Sequence, residues 1–80
     1  MTRDPCDSIN IGDYRISPGP MPMADGSYQI IVTISRIRSG NFKEQLFTLN
    51  DYRPTQREAC EEAAKYGAAL VNGRVPGLQI

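Results

Sequence analysis

The sequence predicts an α+β domain, a three-stranded antiparallel β-meander with one C-terminal α-helix packed on one face, in the order ββ(β)α. Three observations predict it. Segments of alternating apolar and polar residues fill the chain up to Leu49. The returns between them are too short for a parallel crossover, which needs a dozen or more residues. From Thr55 onward the pattern changes to helical spacing and stays free of proline until past Gly73.

The first strand begins at Ile9, with Tyr14 and Ile16 alternating against Asp13, Arg15 and Ser17, the period of a half-buried strand. It ends at Pro18-Gly19-Pro20-Met21-Pro22, where three prolines remove backbone donors and disfavour a central strand. We take this run as a stiff connection; the alternative is a polyproline-type ligand for a partner's aromatic groove. Asp25-Gly26 closes the loop as a turn. The second strand runs from Tyr28 to Ile37. Tyr28, Ile30, Val32 and Ile34 point to one side, and Gln29, Ile31, Thr33, Ser35 and Ile37 to the other. Apolar groups on both sides, many β-branched, suit a central position. Ser39-Gly40-Asn41 is a hairpin loop, and Phe42 to Leu49 forms the third strand.

The helix is the most strongly marked element. Thr55 is a good N-cap and Glu58 stands three residues on, as in a capping box. The helix extends from Gln56 to about Asn72, and Gly73 suits the position just past its end. Ala59, Cys60, Ala63, Ala64, Gly67, Leu70 and Val71 form its apolar stripe, with Glu61 and Lys65 an i,i+4 pair on the other side. Small residues let a helix lie close to a sheet, so the large partners are expected from Tyr14, Ile30, Val32, Ile34 and Phe47. Outside this single domain, 9–73, residues 1–8 read as a flexible tail and 74–80 as a C-terminal tail packed through Val75 or Leu78.

Composition narrows the function classes. Nine Lys and Arg balance nine Asp and Glu, so no general attraction draws the chain to nucleic acid or anionic lipid. The amino-terminal residues lack a signal-peptide pattern, and the longest apolar run, around Ile30-Ile31-Val32, is far too short to span a bilayer. There is no histidine, which removes Ser-His and Cys-His nucleophilic pairs. Two cysteines without histidine do not make a zinc site. We expect no cofactor, no metal and no catalysis. Glu58, Glu61 and Glu62 read as a solvated acidic face near the positive end of the helix. Cys6 and Cys60 are read as reduced thiols in a cytoplasmic protein, with a Cys6–Cys60 bridge as the alternative.

Two surfaces remain. Arg36, Arg38 and Lys43 surround the second hairpin, with Arg15 on a neighbouring strand. With Phe42, or Tyr52 and Arg53, they offer contacts to a nucleic-acid backbone and its bases. The simpler reading is charge guarding strand ends against aggregation, with Glu44 and Asp51 nearby. Separately, if the helix covers Ile30, Val32 and Ile34, the other face carries Ile31, Ile37 and Leu46. Burying these against a second copy gains about 0.8 kcal/mol per methylene.

Two family resemblances rest on specific residues. Tyr14-x-Ile16, the proline loop with Asp25-Gly26, the Tyr28-x-Ile30-x-Val32-x-Ile34 strand and Tyr52-x-x-Thr55-x-x-Glu58-Ala59 resemble short proteobacterial proteins of unknown function. More distantly they resemble the haemolysin-expression activator (HlyU-type) family. That resemblance implies a three-strand-plus-helix fold and a regulatory role. Ala59 with Ala63-Ala64 is also similar to the C-terminal helix of double-stranded-RNA-binding domains. Here, however, Thr55-Gln56-Arg57-Glu58 stands where those domains place lysines, and their amino-terminal helix and loop histidine are missing. The sequence therefore predicts a small interaction or regulatory module, with a homodimer as the first partner and a nucleic-acid-binding basic hairpin as the competing function.

Overall fold

The computed structural model describes residues 4–80. It is an α+β fold with five strands, β1 (Ile9–Ile11), β2 (Tyr14–Pro18), β3 (Met21–Pro22), β4 (Tyr28–Arg38) and β5 (Asn41–Arg53), followed by α1 (Gln56–Val71). All strand pairs are antiparallel. β4 is central, with β5 along one edge and β2 and β3 in tandem along the other; β1 lies outside β2.

Two additions raise the strand count above the expected three. The segment from Ile9 is a hairpin rather than one strand. It reverses at Gly12-Asp13, where Gly12 takes φ 58°, and Ile11 comes opposite Tyr14. The proline run also keeps to the edge of β4. Pro18 lies opposite Val32, the Gly19 N–H donates to the Ile31 carbonyl at 2.9 Å, and Met21-Pro22 pairs with Gln29 and Tyr28. An edge strand tolerates prolines because its outer side needs no ladder bonds. β5 continues past Leu49 to Arg53 through a bulge, in which Leu49 to Asp51 span the distance covered by Ile30 alone. The β4–β5 hairpin closes on Ser39 and Gly40, at φ 50° and 80°, the left-handed pair whose twist matches the strands.

The helix follows its sequence signals. The Glu58 N–H donates to Thr55 Oγ1 at 3.2 Å. At the far end Gly73 takes φ 76°, with Gly73 and Arg74 N–H groups donating to the Leu70 and Ala69 carbonyls as a Schellman motif. Glu61 pairs with Arg57 at 3.2 Å rather than with Lys65, which approaches Glu62 at 3.7 Å. These exposed pairs contribute little to stability.

The core is one layer deep. Ile16, Ile30, Val32 and Ile34 are fully buried against Ala59, Cys60, Ala63, Gly67 and Leu70. Tyr14 and Phe47 are half-buried at its border, and Phe47 meets Tyr66 edge to face. Glycine at 67 is a steric requirement: a methyl group there would stand 2.5 Å from Ile16 Cγ2 and 3.3 Å from Val32 Cγ2.

The described segments before β1 and after α1 are both tied to this layer. Of the expected 1–8 tail, Met1–Arg3 lie outside the described residues. Asp4 to Asp7 form a turn, with the Asp7 N–H on the Asp4 carbonyl and the Cys6 N–H on Asp4 Oδ1. Cys6 is disulfide-bonded to Cys60, which corrects the reading of two reduced thiols. The β1–β2 reversal is the reason. In a single extended strand residue 6 would stand about 33 Å from Ile16 at 3.3 Å per residue. Folding back at Gly12-Asp13 puts Ile9 beside Ile16 and carries Cys6 to the helix. At the other end Val75, Leu78 and Ile80 pack on the core. Gln45 grips this segment by donating to the Gly77 carbonyl and accepting from the Gln79 N–H, and the Tyr14 hydroxyl donates to the Ile80 carbonyl at 2.7 Å.

Candidate functional site

Strand periodicity and register assign every side chain of the sheet to one of two faces. The helix covers the face bearing Ile30, Val32 and Ile34. Ile31, Thr33, Ser35 and Ile37 of β4 therefore point away from it, with Phe42, Glu44, Leu46 and Thr48 of β5 opposite them. No element among the described residues covers this second face. Met21 and Tyr52 share it, since both lie opposite Gln29. Five large apolar side chains are exposed in the described structure: Met21 at 52%, Ile37 at 64%, Phe42 at 60%, Leu46 at 63% and Tyr52 at 43%. All five are on the open face. Ile31, expected there with Ile37 and Leu46, is half-buried between its neighbours.

A polar rung crosses this face. Arg15 of β2 and Glu44 of β5 both pair with Ser35, one on each side of β4. Arg15 Nε donates to Asn10 Oδ1 at 3.3 Å. Arg15, Ser17, Ser35, Ile37, Phe42 and Glu44 border a hollow of about 410 Å³.

The basic residues divide between the faces. Arg36, Arg38 and Lys43 come together on the helix-side face, where the hairpin continues past Gln45 into the rungs Arg36–Lys43 and Arg38–Asn41. With Ser39 and Asn41 they line a concavity of about 290 Å³. The Arg36 guanidinium lies over the Tyr14 ring, 5.4 Å from its centroid. Arg36 Nε is buried without a hydrogen-bond partner among the described residues. Arg15 is not part of this group; it belongs to the open face, as do Phe42 and Tyr52. The expected combination of these aromatics with the three cations is thus split by the sheet itself.

Two of the three acidic residues of α1, Glu61 and Glu62, are engaged in ion pairing. Arg53 reaches Asp51 at 2.8 Å and Glu62 at 3.8 Å. Its hydrogen bond holds the Asp51 carboxyl below the ordinary value, and the Ser27 hydroxyl and N–H do the same for Asp25. No helix is long and apolar enough to cross a membrane, and no group of three metal-ligating side chains occurs among the described residues.

Sequence reasoning missed two things here: Phe42, Met21 and Tyr52 belong with Ile37 and Leu46, and Tyr14 supports Arg36. Even-numbered spacing from Leu46 to Phe42 was a signal available for the first. The Cys6–Cys60 bridge, held only as the alternative to free thiols, fixes residues that precede the sheet. No protein-family model, curated protein or solved structure matches this chain.

Proposed function

We propose that this chain is a non-catalytic interaction module whose open sheet face docks a second copy of itself. The observation that carries the reading is the placement of all five exposed large apolar side chains on that one face. A single-layer sheet with a helix on one side leaves such a surface to water, and its burial is the main favourable term in association. The molecule measures 42 × 32 × 22 Å, so its broad side is large enough for the roughly 800 Å² per partner of a standard interface.

Charge favours the same occupant. In a face-to-face pair with the two-fold axis parallel to β4, the residues flanking Ser35 exchange sides. Arg15 of each copy then meets Glu44 of the other. The face is self-complementary, consistent with a chain of zero net charge. A regulatory role of the kind the HlyU-type resemblance implies would act through this face. The closed Cys6–Cys60 bridge favours an oxidising compartment in place of the expected cytoplasm. Alkylation of protein from its native source, with and without reductant, checks that part.

Sedimentation velocity on three variants tests the docking face. Ile37→Lys should yield monomer, because it buries an unpaired charge. Arg15→Glu should weaken association by setting a second carboxylate against Glu44, and adding Glu44→Arg should restore it. A wild-type chain that never associates, or an Ile37→Lys variant that associates as the wild type does, would overturn the proposal.

A further inference from the structure

We infer that the basic concavity at the β4–β5 hairpin tip is a binding site for a phosphate group, separate from the open face and independent of its role. The five residues lining it, Arg36, Arg38, Ser39, Asn41 and Lys43, carry three positive charges and no negative one. Arg36 and Lys43 are direct cross-strand partners, an arrangement that is unfavourable for like charges unless an anion lies between them. None of the three is in an ion pair among the described residues, nor are Arg15 and Arg74, whereas Arg53, Arg57 and Lys65 are.

Edge protection accounts for Lys43, on the edge strand β5, and for Arg38, beyond the end of β2, but not for Arg36, which pairs with both β2 and β5. The acid adjacent in sequence, Glu44, points to the opposite face. Asp51, the other nearby acid in the sequence, is bound to Arg53. Arg36 Nε is sealed from solvent with no hydrogen-bond partner among the described residues, which leaves the terminal nitrogens of its guanidinium as the groups that meet an anion. The Tyr14 ring holds that guanidinium in place, which reduces the ordering needed to use its planar fork. Arginine forks match the oxygen geometry of phosphate, and Ser39 and Asn41 add neutral donors at the rim. The volume of about 290 Å³ suits one phosphate group with part of the molecule that bears it, rather than an extended strand.

The test is a ¹⁵N-edited NMR titration with sodium phosphate, the ionic strength held constant with sodium chloride. Saturable shifts should be confined to residues 36–43 and include the Arg36 Nε resonance. Arg38→Gln with Lys43→Gln, both at exposed positions, should weaken binding roughly tenfold or more. Lys65→Gln, an exposed cation on α1 outside the concavity, should leave it unchanged. Parallel titrations with a single-stranded thymidine decamer and with vesicles containing phosphatidic acid identify the source. Tighter binding of either assigns the phosphate to a nucleic-acid backbone or a lipid headgroup, and tighter binding of inorganic phosphate assigns it to a small ligand. Shifts that do not saturate, that chloride alone reproduces, or that survive the double variant would overturn the inference. The wild-type titration decides the matter even if a variant misfolds.

Discussion

The two faces of this sheet share one backbone and differ in almost every other respect. On the helix side, Ile16, Ile30, Val32 and Ile34 are fully buried beneath a stripe of Ala59, Ala63 and Gly67. On the open side, Ile37, Phe42 and Leu46 stand more than half exposed, separated by the rung Arg15–Ser35–Glu44. Large strand residues opposite small helix residues give close packing, and a single copy satisfies that requirement. The covered face holds the fold together; the open face, with its apolar residues spaced by a polar rung, is the one proposed to dock a second copy.

That division can be broken most severely through the disulfide, which ties the chain before β1 to the helix on the covered side. Its loop spans 54 residues, so opening it is expected to cost about 4 kcal/mol of unfolding free energy. Urea denaturation with and without reductant measures this, and an unchanged midpoint would contradict the structural role given to the bond.

Next comes a paired substitution, one on each face. Ile34→Ala should cost about 2–5 kcal/mol, because a buried side chain leaves a cavity between sheet and helix. Leu46→Ala should change monomer stability by less than about 0.5 kcal/mol while weakening self-association. Equal costs at the two positions would erase the distinction between the faces.

Gly67→Ala probes how closely the helix approaches. The added methyl must displace Ile16 and Val32 side chains, for about 1–3 kcal/mol of destabilisation despite the better helix propensity of alanine. A more stable variant would mean that the layer opens without cost.

The smallest effect is a pH dependence outside both faces. Asp51 and Asp25 titrate below the ordinary 3.8, through the Arg53 hydrogen bond and the Ser27 hydrogen bonds. Folding therefore gains from these carboxylates above pH 3.8, and the gain is lost as pH falls through their lowered folded values. Both are exposed, so Asp51→Asn should flatten the acid limb of a stability–pH curve only slightly, as thermal melts at several pH values would record.

The elements most legible in the sequence are those whose signals are local. Thr55, Glu58 and Gly73 mark the helix ends within a residue or two of where they fall. The alternation from Tyr28 to Ile37 assigns β4 its two faces, and with them the side on which Ile31 and Ile37 stand. What escaped depends on a turn. Apolar residues sit at odd positions in Ile9 and Ile11 and at even positions in Tyr14 and Ile16, a change of parity that the reversal at Gly12-Asp13 explains. Without that reversal Cys6 is far from Cys60, so the disulfide stood only as the alternative to two free thiols. Likewise Arg36, Arg38 and Lys43 are close in sequence and meet in space. Arg15 belongs to the opposite face, because its partner across the ladder is Ser35 rather than Arg36. Neither the burial of Arg36 Nε nor its Tyr14 support can be read from spacing, since both depend on how β2 lies against β4.

Light scattering over a range of protein concentrations, at low and high salt, tests the central claim most directly. If the open face docks a second copy, the mass should rise toward twice the 8.9 kDa of one chain and stay there at high salt, since apolar burial outlasts the screened Arg15–Glu44 pairs. A mass of 8.9 kDa at every concentration and both salts would contradict the account.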